Sequence, residues 1–294
     1  MPLRLRPAAG VTALLLAAAL TACSGASDPA EESPADSGAG HGEDAAHLDI
    51  GHVHGLGIDP ADGTVYVATH HGLVRIAEDG TAERVGDASD YMGFAVTGPG
   101  TFLGSGHPAP DADTDVHHFG LLESTDAGRT WTTLSLGGEA DFHALVYAHD
   151  TVYGYDSTRG GLRVSEDGTT WEDRATLPAA DIAVSPEGPD VLLATTQNGI
   201  ARSTDGGDTF ADGRAPVLLY LSWPAPDSLF GIAPDGELSR STDGGDTWEA
   251  VGTVPGGAAQ ALTALDAGHI LAATEGGVYE SRDGGETFTE RLSS

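Results

Sequence analysis

The sequence contains no lysine, and its single cysteine, Cys23, lies near the N-terminus. One thiol allows no disulfide framework and no thiolate zinc site. Basic residues are scarce: 13, all arginine, stand against 45 Asp and Glu, for a formal net charge of −32. A field of that sign repels nucleic-acid phosphates and anionic lipid, which argues against DNA, RNA or an electrostatic membrane surface as partner. It attracts cations. Aromatics make up only 6% of the chain, and no apolar run reaches the ~20 residues of a confident spanning helix. Glycine, in contrast, is abundant at 42 of 294 residues. Small residues with frequent turns point to many short strands rather than helices.

The first residues read as an address. Arg4 and Arg6 precede an apolar stretch over residues 8–20, the length of a secretory h-region. It ends in Leu20-Thr21-Ala22-Cys23, which resembles the bacterial lipobox. That resemblance implies cleavage before Cys23, a diacylglycerol on its thiol, and a protein anchored to the cell membrane and facing outside the cytoplasm. Residues 1–22 are then a lipoprotein signal peptide. Residues 23–47 are acidic and small, with almost no large apolar side chain, so they cannot offset their ordering entropy and read as a disordered tether.

From residue 48 onward one phrase recurs. It reads Ser124-Thr125-Asp126-Ala127-Gly128-Arg129-Thr130-Trp131, and returns around Asp167, Asp205, Asp243 and Asp283 at spacings of 41, 38, 38 and 40 residues. A degenerate copy, Ala77-Glu78-Asp79-Gly80-Thr81, precedes them. An Asp in a Gly-rich turn accepts backbone N–H bonds and ties off a hairpin. The phrase resembles the Asp-box, or bacterial neuraminidase repeat, of β-propellers, which assigns these five aspartates a structural role. Each unit also carries two further runs, such as His52–Ile58 and Thr64–Thr69. With the runs on either side of the phrase they make four strands per unit. The expected fold is therefore all-β, a six-bladed β-propeller of four-stranded antiparallel blades. Its blades fall at about 48–88, 89–137, 138–177, 178–215, 216–254 and 255–294.

In such a fold the first strand of each blade lines the central channel, and its start opens onto the top face with the turn between second and third strands. Blade one begins His52-Val53-His54, blade two Asp90-Tyr91-Met92 and blade three Asp141-Phe142-His143. Aligned, His54, Met92 and His143 share one position, and His52, Asp90 and Asp141 the position two earlier. Blades four to six place Ala, Leu and Ala near the first of these. The top turns repeat the asymmetry with His70 and His71 in blade one. Blade two supplies His107, an acidic insertion, and His117 with His118. Imidazoles with a thioether and no thiolate suit copper, with zinc the alternative. Asp90 and Asp141 can orient the imidazoles from behind. The expectation is one dominant metal site, used for sequestration or delivery and without catalysis.

Two other readings stand beside it. Asp-box propellers include sialidases, which grip a substrate carboxylate with three arginines. Here only Arg159 falls in a top turn, so a triad cannot be assembled. A glycoside hydrolase using Asp90 and Asp141 as acid and base remains an alternative, with a glycan as ligand. The third reading is a scaffold or assembly factor with an envelope protein partner, since fold alone does not choose among functions.

Overall fold

Short strands separated by glycine turns form six sheets. A computed structural model describes Leu48 and residues 50–294, so Cys23 and the proposed signal and tether lie outside the described residues. Blade one comprises β1 (Val53–Ile58), β2 (Val65–Thr69), β3 (Gly72–Ile76) and β4 (Ala82–Val85). Blade two follows with β5 (Asp90–Gly98), β6 (Thr101–His107), β7 (Leu121–Ser124) and β8 (Thr132–Ser135). The third has β9 (Phe142–Ala148), β10 (Thr151–Asp156), β11 (Gly161–Ser165) and β12 (Glu172–Thr176). In the fourth are β13 (Ile182–Val184), β14 (Leu192–Thr196) and β15 (Gly199–Ser203). Blade five holds β16 (Tyr220–Ala225), β17 (Ser228–Ile232), β18 (Glu237–Ser241) and β19 (Glu249–Thr253). The last contains β20 (Ala259–Ala264), β21 (Ile270–Thr274), β22 (Gly277–Ser281) and β23 (Thr289–Ser293). Within every sheet the strands pair in sequence order. The inner strands β1, β5, β9, β13, β16 and β20 are neighbours in a ring that returns to β1. The chain is a six-bladed β-propeller, and no described residue is helical.

Blade four departs from the four-strand expectation. Its outer segment forms no fourth strand and meets β15 through an isolated bridge between Ile200 and Arg214 and a bond from Ala211 N to Arg202 O at 2.9 Å. Gly213 and Pro216 flank that bridge; proline lacks the N–H that a longer ladder needs, and glycine weakens a strand.

Burial follows from stacking blade on blade. Every residue of β2 is buried, because Val65 and Val67 pack toward blade six while Tyr66 and Ala68 pack toward blade two. A strand covered on both faces reads as a continuous apolar run rather than an alternation. The described residues hold six such apolar clusters, one at each blade junction. Outer strands such as β4 and β8 are largely exposed.

The recurring Ser-x-Asp turns join the third and fourth strands on the bottom face. Asp205 Oδ1 accepts from Thr209 N at 3.0 Å and from Ser203 Oγ at 2.8 Å, and its Oδ2 accepts from Thr209 Oγ1 at 2.6 Å. Gly207 has φ +88°, and a Cβ there would lie 2.3 Å from Leu162 of the preceding blade. That glycine permits the turn and lets it sit against the neighbouring blade.

Candidate metal centre

Three blades build the top of the channel from one repeated backbone device. In β1, β5 and β9 the pairing slips by one residue at His54, Met92 and His143. A bulge of this kind re-aims a side chain at the rim of a sheet. The aligned residues therefore occupy equivalent places by bulging, not by plain strand alternation. Blade six bulges likewise at Gln260 rather than at an alanine. Gln260 is buried, and its Oε1 accepts from Val53 N at 3.0 Å, so it serves ring closure.

The turn openings are equally regular. His70 N donates to His52 O at 3.1 Å, His107 pairs with Asp90, and Ser157 N donates to Asp141 O at 2.9 Å. His70, His107 and Ser157 thus hold one position in three blades. Gly106 permits the close approach in blade two, since a Cβ there would fall 1.9 Å from Asp90 O.

Two groups of donors result. In the first, Asp90 Oδ2 accepts from His70 Nδ1 at 2.9 Å, and Asp90 Oδ1 lies 3.6 Å from His54 Nε2. His54 Nε2 and His70 Nδ1 are 3.4 Å apart. In the second, Asp141 Oδ1 lies 3.3 Å from His107 Nε2, and its Oδ2 lies 4.0 Å from His118 Nδ1. The donor atoms of His54, His70 and Asp90 all fall within 4.8 Å of one another, as do those of His107, His118 and Asp141. The side chains expected at one site thus gather as two groups. His143 Nε2 donates to Asp141 Oδ2 at 2.8 Å, and Ser157 Oγ donates to the same oxygen at 2.8 Å. Sequence reasoning overlooked Ser157, although its alignment with His70 and His107 marks it.

The remaining candidates lie around these groups. The His52 ring packs tilted against His54, with ring centroids 4.8 Å apart. Met92 is half-buried on its bulge. The His71 ring lies against Gly51, and exposed His117 belongs to neither group. Asp90 and Asp141, expected behind the imidazoles, each lie within 4.8 Å of the donor nitrogens of one group.

Electrostatics favour a neutral ring at His54 and an ionised carboxylate at Asp141. Burial, followed by the neighbouring His70 and His52, pushes His54 down to about 3. Burial alone would raise Asp141, but hydrogen bonds from His143 and Ser157 outweigh it and hold the carboxyl well below its usual range. Three atoms here are buried without a hydrogen bond: Asp90 Oδ1, Asp141 Oδ1 and His118 Nδ1. Lone pairs removed from water and left unpaired are costly, and a cation within either donor group would satisfy those of that group. The residues fit a metal ion.

Below the mouth, His54 and His143 line a central channel of about 610 Å³ that continues past Leu145, Asp181 and Tyr220. Burial pushes Asp181 up to about 7.

No protein-family model and no curated protein sequence matches the chain. Solved structures match in fold. The Niastella koreensis GH74 enzyme superposes with a TM-score of 0.59 at 17% identity, covering 84% of this chain and 46% of its own. A protein of the nidogen/laminin complex gives 0.60 at 13% identity, over 77% of this chain and 92% of its own. Virginiamycin B lyase from Staphylococcus aureus gives 0.51 at 14% identity, over 79% and 84%. This chain spans less than half the length of the GH74 enzymes it matches. At such identities the likeness is one of fold.

Proposed function

We propose that this propeller binds a borderline transition-metal ion at its channel mouth, for sequestration or delivery. The observation that carries the reading is the His54–His70–Asp90 group, whose Asp90 Oδ1 is buried and unpaired. Two imidazoles and a carboxylate are a donor set for divalent ions, and copper(II) binds such sites above zinc(II) in the usual affinity order. The depressed pKa of His54 leaves its ring neutral, the form a metal requires. Attachment through a lipid on Cys23 would hold this face outside the cytoplasm, where a strongly acidic surface gathers cations.

Competition titration with a chromogenic chelator tests the reading. Wild type is expected to bind copper(II) and zinc(II), and His54→Ala to weaken both more than tenfold. His149→Ala should bind as wild type, because His149 lies in the bottom turn between β9 and β10 with Nε2 donating to Ser185 O at 2.8 Å. Absence of binding by wild type overturns the proposal. Turnover of an aryl glycoside by metal-free protein, lost in Asp90→Asn or Asp141→Asn, would move the assignment to a hydrolase.

A further inference from the structure

The arrangement that makes the first donor group is repeated one blade further on. His70 opens the top turn of blade one and meets Asp90, which opens blade two, at 2.9 Å. His107 opens the corresponding turn of blade two and meets Asp141, which opens blade three, at 3.3 Å. In both aspartates the same oxygen, Oδ1, is buried and lacks a hydrogen bond. Asp141 is 5% exposed, so its unpaired oxygen has little access to water. At the first junction the bulge position carries His54. At the second it carries Met92, and the third donor comes instead from His118 in the blade-two insertion, whose Nδ1 is also buried and unpaired. The series stops there, because blade four begins Pro178-Ala179-Ala180, and the Asp181 that follows accepts from Leu221 N at 2.8 Å instead.

We propose that the chain binds two metal ions, one at each of these blade junctions: His54, His70 and Asp90 hold the first, and His107, His118 and Asp141 the second. His107 stands between them. Its Nε2 faces Asp141 in the second group, while its Nδ1 lies 3.6 Å from Asp90 Oδ2 in the first. A ligating imidazole commonly turns its other N–H toward a carboxylate, which fixes its tautomer and orientation. Here that carboxylate belongs to the other centre, so filling one centre orients a ligand of the other. Both ions are of the borderline divalent class, since each group combines imidazole nitrogen with a carboxylate.

The inference rests on the metal-binding reading above, and stoichiometry separates the two. Equilibrium dialysis of the full chain against zinc(II), followed by metal quantification, should find two ions per chain. Asp90→Asn and Asp141→Asn should each retain one, and the double variant none. His118→Ala changes a half-buried loop residue and should also retain one, which covers the case in which Asp141→Asn fails to fold by circular dichroism. One ion in wild type would overturn the two-centre inference and leave the metal-binding reading standing. Zero would overturn both. Two ions retained in Asp141→Asn or His118→Ala, with the fold intact, would place the second ion elsewhere and overturn the assignment.

Discussion

Single residues set the character of the channel mouth. Aspartate at the start of two inner strands joins the histidines of blades one to three in mixed nitrogen and oxygen groups, because each carboxylate reaches back to the preceding blade's turn. Met92 is the residue whose contribution is easiest to isolate. Replacement by leucine conserves volume and costs little packing, yet removes a thioether from a bulge that elsewhere carries histidine. Met92→Leu is expected to leave zinc(II) and copper(II) affinity nearly unchanged, since neither donor group uses the thioether, whereas a loss confined to copper(I) would add Met92 as a soft ligand. Parallel titrations under reducing conditions would show it. Equal copper(I) affinity in the two proteins would exclude Met92 as a ligand.

At the scale of the element, the recurrent turn is a small electrostatic device. Hydrogen bonds from the Thr209 hydroxyl and backbone, then from Ser203, hold Asp205 down at about 2. Asp243 and Asp283 are held at about 2 by the equivalent Thr and Ser groups. A carboxylate depressed in the folded state contributes stability that is fully present above its unfolded pKa, near 4. That contribution is lost as pH falls through the folded value, near 2. Stability should therefore decline between about pH 4 and pH 2. Asp205→Ala should lower the melting temperature at pH 7 and flatten part of that decline. Melting curves from pH 7 to pH 2 check both. Metal binding at saturation should persist in the variant, because these turns lie on the opposite face from the donor groups. The single bridge between Ile200 and Arg214 teaches a complementary lesson: a well-formed turn around Asp205 does not guarantee a fourth strand when the following segment carries Gly213 and Pro216.

The whole molecule depends on closing a ring whose blades are each built from consecutive strands. Among the described residues no sheet joins strands from both ends of the chain, so closure falls to packing and to side chains that cross the junction of blades one and six. Ile50, Val53, Val65 and Val67 pack with Ala261, Leu271, Ala273 and Val278. Three hydrogen bonds add direction: Val53 N donates to Gln260 Oε1 at 3.0 Å, Thr263 Oγ1 donates to Leu56 O at 2.8 Å, and Arg291 Nη2 donates to Ala77 O at 3.1 Å. Gln260→Leu keeps the bulk but strands a buried N–H, which costs about 1–3 kcal/mol. Urea unfolding should show a loss of that size. An unchanged midpoint would mean that the Gln260 bond contributes nothing to holding the seam.

The primary sequence by itself determined the architecture. A turn phrase returning about every 40 residues, with apolar runs between, specifies a hairpin chemistry that acts locally, and local chemistry is legible along the chain. The alignment of His54, Met92 and His143 was legible for the same reason, since repetition carries register from blade to blade. The tertiary structure decided what no single repeat contains. Each donor group straddles two blades, so the partition of histidines between Asp90 and Asp141 follows from how far one turn reaches over its neighbour. The bulges that aim the inner residues, and the role of Ser157 behind Asp141, likewise exist only once strands have paired. Distances between side chains on different blades are set by ring closure and packing, and a linear pattern does not encode them directly.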